Sequence, residues 1–262
     1  MRDFAVDQLK VKVYGSREEM GKDAALKAAA TIRELLQQQD EVNMIFAAAA
    51  SQEEFLKELI QQPVEWNRVN AFHMDEYTGL PAGAPQLFGY FLRERLFDKV
   101  DFREVYYIDG QATDKAAECA RYAALLQQHP VDITCMGIGE NTHLAFNDPH
   151  VAHFDDPHAV KIVDLDEACK QQQVNEGCFA AVPEVPSFAY TLTIPALLAA
   201  RYIYCMVPGT SKAQAVYHTL TDAVTELYPS TILRKHEHAE LFLDKESAAL
   251  YLEEGVRADT PV

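Results

Sequence analysis

The chain has 262 residues, 48% of them hydrophobic, with 11 Gly and 12 Pro, which argues for a compact globular protein and against a disordered or fibrous one. A formal net charge of -17 argues against nucleic acid or an anionic membrane as a main partner. No apolar run has the length of a membrane span, and the charged Met1 to Lys10 segment has no apolar stretch of the signal-peptide kind. The five cysteines (Cys119, Cys135, Cys169, Cys178 and Cys205) are dispersed, odd in number and without a C-x-x-C pair, which fits a reducing cytoplasm better than a disulfide framework.

Leu9 to Tyr14 alternates apolar and cationic residues and reads as a strand near a sheet edge. Ser16-Arg17-Glu18-Glu19 is a capping box that opens a long helix to about Gln39. Val42 to Ala49 reads as a buried strand, and Ser51-Gln52-Glu53-Glu54 as a second capping box opening a helix to about Gln61. Arg68 to Met74 is a third strand that ends at Asp75-Glu76-Tyr77. A loop rich in Gly and Pro runs to Pro85, and a helix is expected over Gln86 to Phe97. Val105 to Ile108 reads as a short strand, Lys115 to Gln128 as a helix and Val131 to Cys135 as a buried strand.

Beyond that strand, Val160 to Val163 reads as a strand and Asp166 to Asn175 as a helix. Phe188 to Ile194 and Tyr202 to Val207 read as strands around a short helix, Pro195 to Ala200. Ser211 to Leu220 is helical, Ala239 to Leu243 is a last strand, and Glu246 to Glu253 is helical before a frayed tail from Arg257 to Val262. There is no repeat, linker or shift in composition, so residues 1 to 262 read as one α/β domain with a mostly parallel sheet. Ligands of such sheets bind beyond the carboxyl ends of the strands, where Ser51, Asp75, His143 and Gly209 are all expected.

Several stretches there can carry chemistry. Gly137 and Gly139 let the chain turn after a strand, and Asn141, His143, Asn147 and Asp148 follow within a few residues. A histidine held through one nitrogen by a neighbour can shuttle protons through the other, although it can also simply satisfy loop backbone. Asp75 and Glu76 supply a base if burial raises a carboxyl pKa, but on their own they read rather as cap or turn carboxylates exposed to water. Ala49, Ala50 and Ser51 precede a helix start that can hold an anion, but without a glycine for a tight nest. Lys212 after Gly209 is the better anion ligand, since a bound phosphate relieves a cation at a helix start. Asp148, His150, His153, Asp155, Asp156 and His158 match no known metal-ligand spacing and read as a solvated loop. Gly137-x-Gly139 lacks the third glycine of a dinucleotide fingerprint.

F-H-M-D-E-Y-x-G-L-P at Phe72 to Pro81 and G-I-G-x-x-x-H-L-A-F-N-x-P at Gly137 to Pro149 resemble the two signature stretches of glucosamine-6-phosphate deaminases/isomerases. Gln172 to Asn175, Tyr190 to Ile194 and Gly209 to Ala213 fit the same family in the same order, so the resemblance spans nearly the whole chain. It implies a three-layer α/β/α sandwich of modified Rossmann-like form. It also implies an aldose–ketose isomerisation with release or addition of ammonia on a sugar phosphate, without metal or organic cofactor. A homo-oligomer is compatible with it. The M-D-E-Y form sets the chain apart from the similar 6-phosphogluconolactonases.

On that resemblance Asp75 is the base between C1 and C2, and His143 opens the ring with Asn141 and Asp148 beside it. Ala49, Ala50, Ser51, Gly139 and Lys212 are the substrate- and phosphate-binding set. Asn141 stands where the family carries Asp, Asp148 where it carries Glu, Ala48 to Ser51 where it carries a Gly-rich turn, and Leu87 where it carries Ser. No arginine occupies Asn175 to Phe179, where the family has one for the phosphate. Asn141 can orient the imidazole but brings no charge, so Asn141→Asp is expected to speed ring opening. The alternatives are an isomerase of another sugar phosphate, or a non-catalytic sugar-phosphate sensor on the same fold.

Overall fold

The computed structural model describes residues 2–258, with side chains to residue 253. Among the described residues lie eleven strands and eight α-helices. The strands are β1 (Arg2–Val6), β2 (Leu9–Tyr14), β3 (Val42–Phe46), β4 (Val69–His73), β5 (Asp75–Tyr77), β6 (Glu104–Tyr106), β7 (Ile133–Met136), β8 (Val160–Asp164), β9 (Phe188–Leu192), β10 (Tyr202–Val207) and β11 (Ala239–Asp244). The helices are α1 (Arg17–Leu36), α2 (Glu53–Leu59), α3 (Phe88–Leu92), α4 (Lys115–Gln128), α5 (Glu167–Asn175), α6 (Ile194–Leu198), α7 (Ala213–Thr221) and α8 (Ala249–Ala258). The tail expected to fray from Arg257 lies, past Ala258, outside the described residues.

The main sheet has the order β1-β2-β11-β10-β7-β3-β4-β6. It is parallel except for β1, which pairs antiparallel with β2. Leu9 to Tyr14 is therefore second from the edge; the charged segment before it escapes an apolar-pattern reading but closes a hairpin through Asp7 at φ 51°. All five residues of β3 are buried, as expected of a strand covered on both faces. Alternate residues feed two cores. Val42, Met44 and Phe46 pack with α1 and α2, while Ile45 packs with Tyr122 of α4, Leu197 of α6 and Val216 of α7. That is an α/β/α sandwich with a mostly parallel sheet.

The first capping box forms at Ser16, with its return bond one residue earlier than the pattern implies. Glu19 N–H donates to Ser16 Oγ at 3.3 Å, and the Glu19 carboxylate receives Gly15 N–H at 3.0 Å. The second does not. Ser51 lies inside a 3₁₀ turn (Ala50–Gln52) and caps nothing by its side chain. Gln52 is the reason. Its buried amide donates to Met136 O and Met206 O, both at 3.3 Å, and to Ser51 Oγ at 3.0 Å, which pins the turn to the ends of β7 and β10. The helix expected over Gln86 to Phe97 starts at Phe88 and widens into a π-turn at Arg93–Phe97.

A second sheet, β5-β9-β8, is antiparallel and holds residues read from sequence as continuations or isolated strands. It couples distant loops. Asp75 pairs with Thr191, whose hydroxyl accepts Phe146 N–H at 3.0 Å. Asn147 Nδ2 donates to Leu192 O at 2.8 Å. The loop after β7 is thus fastened to the strand that lies against Asp75.

Candidate active site

The chain builds β3, β4 and β6 outward in one direction, then returns with β7 on the other side of β3 and continues through β10. The carboxyl ends of β3 and β7 therefore flank a topological switch point, where open α/β sheets leave a crevice. A cavity of about 500 Å³ lies there. Asp75, His143, Gly139, Lys212 and the Ala49-Ala50-Ser51 turn all line it. Asn141 and Asp148 stand behind His143 instead of lining the cavity.

Asp75 is 8% exposed, and burial first, then the neighbouring Glu76 charge, push its carboxyl well above the ordinary range. A carboxylate so desolvated is a stronger base when ionised than one in water. Glu76 has a different task. Its carboxylate accepts Tyr77 N–H at 2.9 Å, Phe88 N–H at 3.0 Å and Gly89 N–H at 2.9 Å. It caps α3 in place of Leu87, which has no side-chain acceptor to offer. Burial raises Glu76 to about 7 against those three bonds. His73, fully buried, fixes the backbone under Asp75. Its Nδ1 donates to Asp75 O at 2.9 Å and its Nε2 accepts Ile108 N–H at 2.9 Å, a pattern that only the neutral ring satisfies. Burial accordingly lowers it to about 4.

His143 is held through Nδ1, which lies 2.7 Å from Asn141 Oδ1 and 3.1 Å from Asp148 Oδ1. This leaves Nε2 for a ligand in the cavity. The Asn141 amide donates in turn to Asp148 Oδ1 at 3.0 Å and Asp166 Oδ2 at 3.2 Å. Burial alone would raise Asp148; the His143 contact, the Asn141 amide and Asp166 N–H together hold it below its ordinary value. Asp148 is therefore a buried anion beside the imidazole. Gly139 lies flat against the ring, and a Cβ there would overlap it. Thr142 at φ 72° and Ala145 at φ 51° complete the tight loop.

At the other end, Ser51 Oγ is engaged by Gln52, and Gly137 lets that turn approach: a Cβ on it would lie 3.2 Å from Ser51 Oγ. Lys212 is 6% exposed. Its pKa is lowered by burial and supported by Glu176 and Glu140. His143, Asp148 and Cys169 bring three ligand-type atoms within 4.8 Å, as do Asp148, His150 and Asp166. Asp148 and Asp166 are already engaged by Asn141 and by the Asp166 and Cys169 N–H groups, and burial keeps Cys169 a thiol. Sequence reasoning passed over His73, Thr191, Gln172 and Glu176. His73, Thr191 and Gln172 lie inside family-like stretches, which was their only signal, and Glu176 lies outside them.

A family model described as glucosamine-6-phosphate isomerases/6-phosphogluconolactonase matches residues 15–243. A glucosamine-6-phosphate deaminase of Listeria monocytogenes is 36% identical over 211 residues, covering 80% of this chain and 88% of that one. Another from Streptococcus pyogenes is 31% identical over 203 residues, covering 78% and 85%. The solved structure of a monomeric glucosamine-6-phosphate deaminase superposes with a TM-score of 0.84 at 28% identity, over 92% of this chain and 99% of that one. A 6-phosphogluconolactonase from Thermotoga maritima shares the fold, with a TM-score of 0.74 at 20% identity, over 90% and 100% of the two chains. With a cavity at the switch point and a match across most of its length, the chain belongs to the glucosamine-6-phosphate isomerase/6-phosphogluconolactonase family.

Proposed function

We propose that the protein converts a 2-amino-2-deoxyhexose 6-phosphate of the glucosamine 6-phosphate type into the ketose phosphate and ammonia. The observation that carries this reading is the desolvated Asp75 carboxylate facing the same cavity as an imidazole fixed through Nδ1. His143 takes the proton of the C1 hydroxyl through Nε2 and returns it to the ring oxygen, which opens the sugar; Asp148 steadies the imidazolium between the two transfers. Asp75 removes the C2 proton of the open chain and delivers it to C1, while O1 gains the proton that the C2 amino nitrogen gives up. The resulting C2 imine takes up water and expels ammonia. Lys212 meets the 6-phosphate, with Ala49, Ala50, Ser51 and Gly139 shaping the walls.

Every step is a proton transfer, a hydration, or a C–O or C–N cleavage that proton transfer drives, and the groups these steps need line the cavity or stand directly behind it. The five cysteines are free, in keeping with the reducing cytoplasm we assign to the reaction. No helix among the described residues is long and apolar enough to cross a membrane. The test is to supply glucosamine 6-phosphate and measure ammonia and fructose 6-phosphate. Equimolar appearance of both supports the reading, and absence of both removes it.

A further inference from the structure

Lys212 Nζ lies 3.6 Å from Glu176 Oε1, with the two side chains 7% and 19% exposed. The carboxylate is held in place. Gln172 Nε2 donates to the same Glu176 oxygen at 2.8 Å, and Gln172 Oε1 accepts Glu140 N–H at 2.9 Å. Glu176 is the C-terminal cap residue of α5, and the chain turns away at Gly177 with φ 77°. A carboxylate at a helix C-terminus faces the negative end of the helix dipole. What favours Glu176 there is therefore Lys212 and Gln172, not α5. Arg95, the other Lys or Arg lining the cavity among the described residues, is also paired, 2.8 Å from Glu53 Oε1, though at a solvent-exposed position. Each cation that could meet an anionic ligand already has a carboxylate.

We propose that Glu176 determines specificity at this end of the cavity, as an internal counter-ion on Lys212 that a dianion displaces and a monoanion does not. Exchanging one singly charged anion for another leaves the attraction to Lys212 nearly unchanged and strands Glu176. A phosphate monoester carries up to twice that charge on three acceptor oxygens, so the exchange runs in its favour. Glu176, partly exposed, then turns toward water. The site thus accepts a sugar phosphate and refuses a sugar sulfate or sugar acid of the same shape.

The inference rests on the sugar-phosphate reading, and its test reads binding, not turnover. Inorganic phosphate at pH 8 and glucosamine 6-sulfate are titrated calorimetrically into the wild type, Glu176→Gln, Glu176→Ala and Glu176→Gln/Lys212→Met. Wild type should bind phosphate and bind the sulfate ester at least tenfold more weakly than either Glu176 variant does. Both single variants should tighten the sulfate ester by about tenfold or more, the scale of one charge-assisted contact, but phosphate by no more than about threefold, and both gains should vanish without Lys212. An unchanged ratio of phosphate to sulfate-ester affinity in the folded single variants overturns the proposal. So does a gain that survives loss of Lys212, or a wild type that already binds the sulfate ester as well as the variants do. A wild type that releases no ammonia from glucosamine 6-phosphate would undo the functional reading and leave this binding test standing.

Discussion

Asn141 Nδ2 donates to Asp148 Oδ1 at 3.0 Å, so the asparagine serves a carboxylate as well as the histidine. The charge that Asn141 lacks comes from Asp148, 3.1 Å from His143 Nδ1. From sequence, Asn141→Asp looked like a gain. In the structure it would set a third carboxylate against Asp148 and Asp166 and delete both donated bonds. The variant should lose about 1–3 kcal/mol of stability and turn over more slowly than wild type. Thermal unfolding and steady-state rates check this, and faster turnover of a cyclic sugar phosphate would restore the sequence-based expectation.

Asp75→Asn separates stability from activity. Below its unfolded value the Asp75 carboxyl is neutral in both states. As pH rises from there toward the raised folded value, the unfolded chain ionises first and native stability is lost. The amide removes that loss. The variant's gain in unfolding midpoint over wild type should be small near about pH 4 and larger near about pH 7, while turnover falls by roughly 10²–10⁴-fold. A midpoint difference independent of pH would mean that Asp75 is not held up in the fold.

His73 acts in the opposite sense. Its folded value of about 4 lies below the ordinary 6.5, so its contribution is complete above about pH 6.5 and is lost as pH falls toward 4. The loss is about 3 kcal/mol over that window. His73→Phe should be less stable at every pH, because it strands Ile108 N–H, but should show a flatter acid slope between those values. Denaturant titrations across the window measure the slope, and an unchanged slope would contradict the neutral buried ring.

Gly139→Ala should displace His143, because the new methyl overlaps the imidazole. A displacement of about 1 Å at the reacting group costs on the order of 10²-fold in rate. Adding His143→Ala removes the overlap, so the double variant should regain the stability lost in Gly139→Ala without regaining activity. A Gly139→Ala protein with wild-type turnover would mean that the ring has room to spare.

Most of the main sheet was legible in the sequence, because its strands are short apolar runs separated by segments of helical composition. Lys115 to Gln128 matches α4 in full, with Asp114 as its cap. Two strands of the second sheet, Val160–Asp164 and Phe188–Leu192, were legible too, but their assembly with Asp75 into a separate sheet was not. Asp75–Tyr77 is three residues long and finds its partner in Phe188–Leu192, a pairing that no local pattern announces. The pocket-facing residues stood out by type, whereas their supports did not. Asp75 and Glu76 look alike in sequence, and only the three backbone donors around Glu76 tell cap from candidate base. The missing arginine after Asn175 was visible, but the Glu176 carboxylate engaging Lys212 was not, since that contact joins α5 to the turn before α7.

The central claim is that Asp75 carries the proton between C2 and C1. The most direct measurement runs the reaction in deuterated water and reads deuterium at C1 of the ketose phosphate and at C2 of recovered amino-sugar phosphate. Wild type should place solvent deuterium at C1, and Asp75→Asn should show no exchange at either carbon while still binding the sugar phosphate. Exchange in Asp75→Asn at a rate near that of wild type would assign the proton to another group and contradict the account.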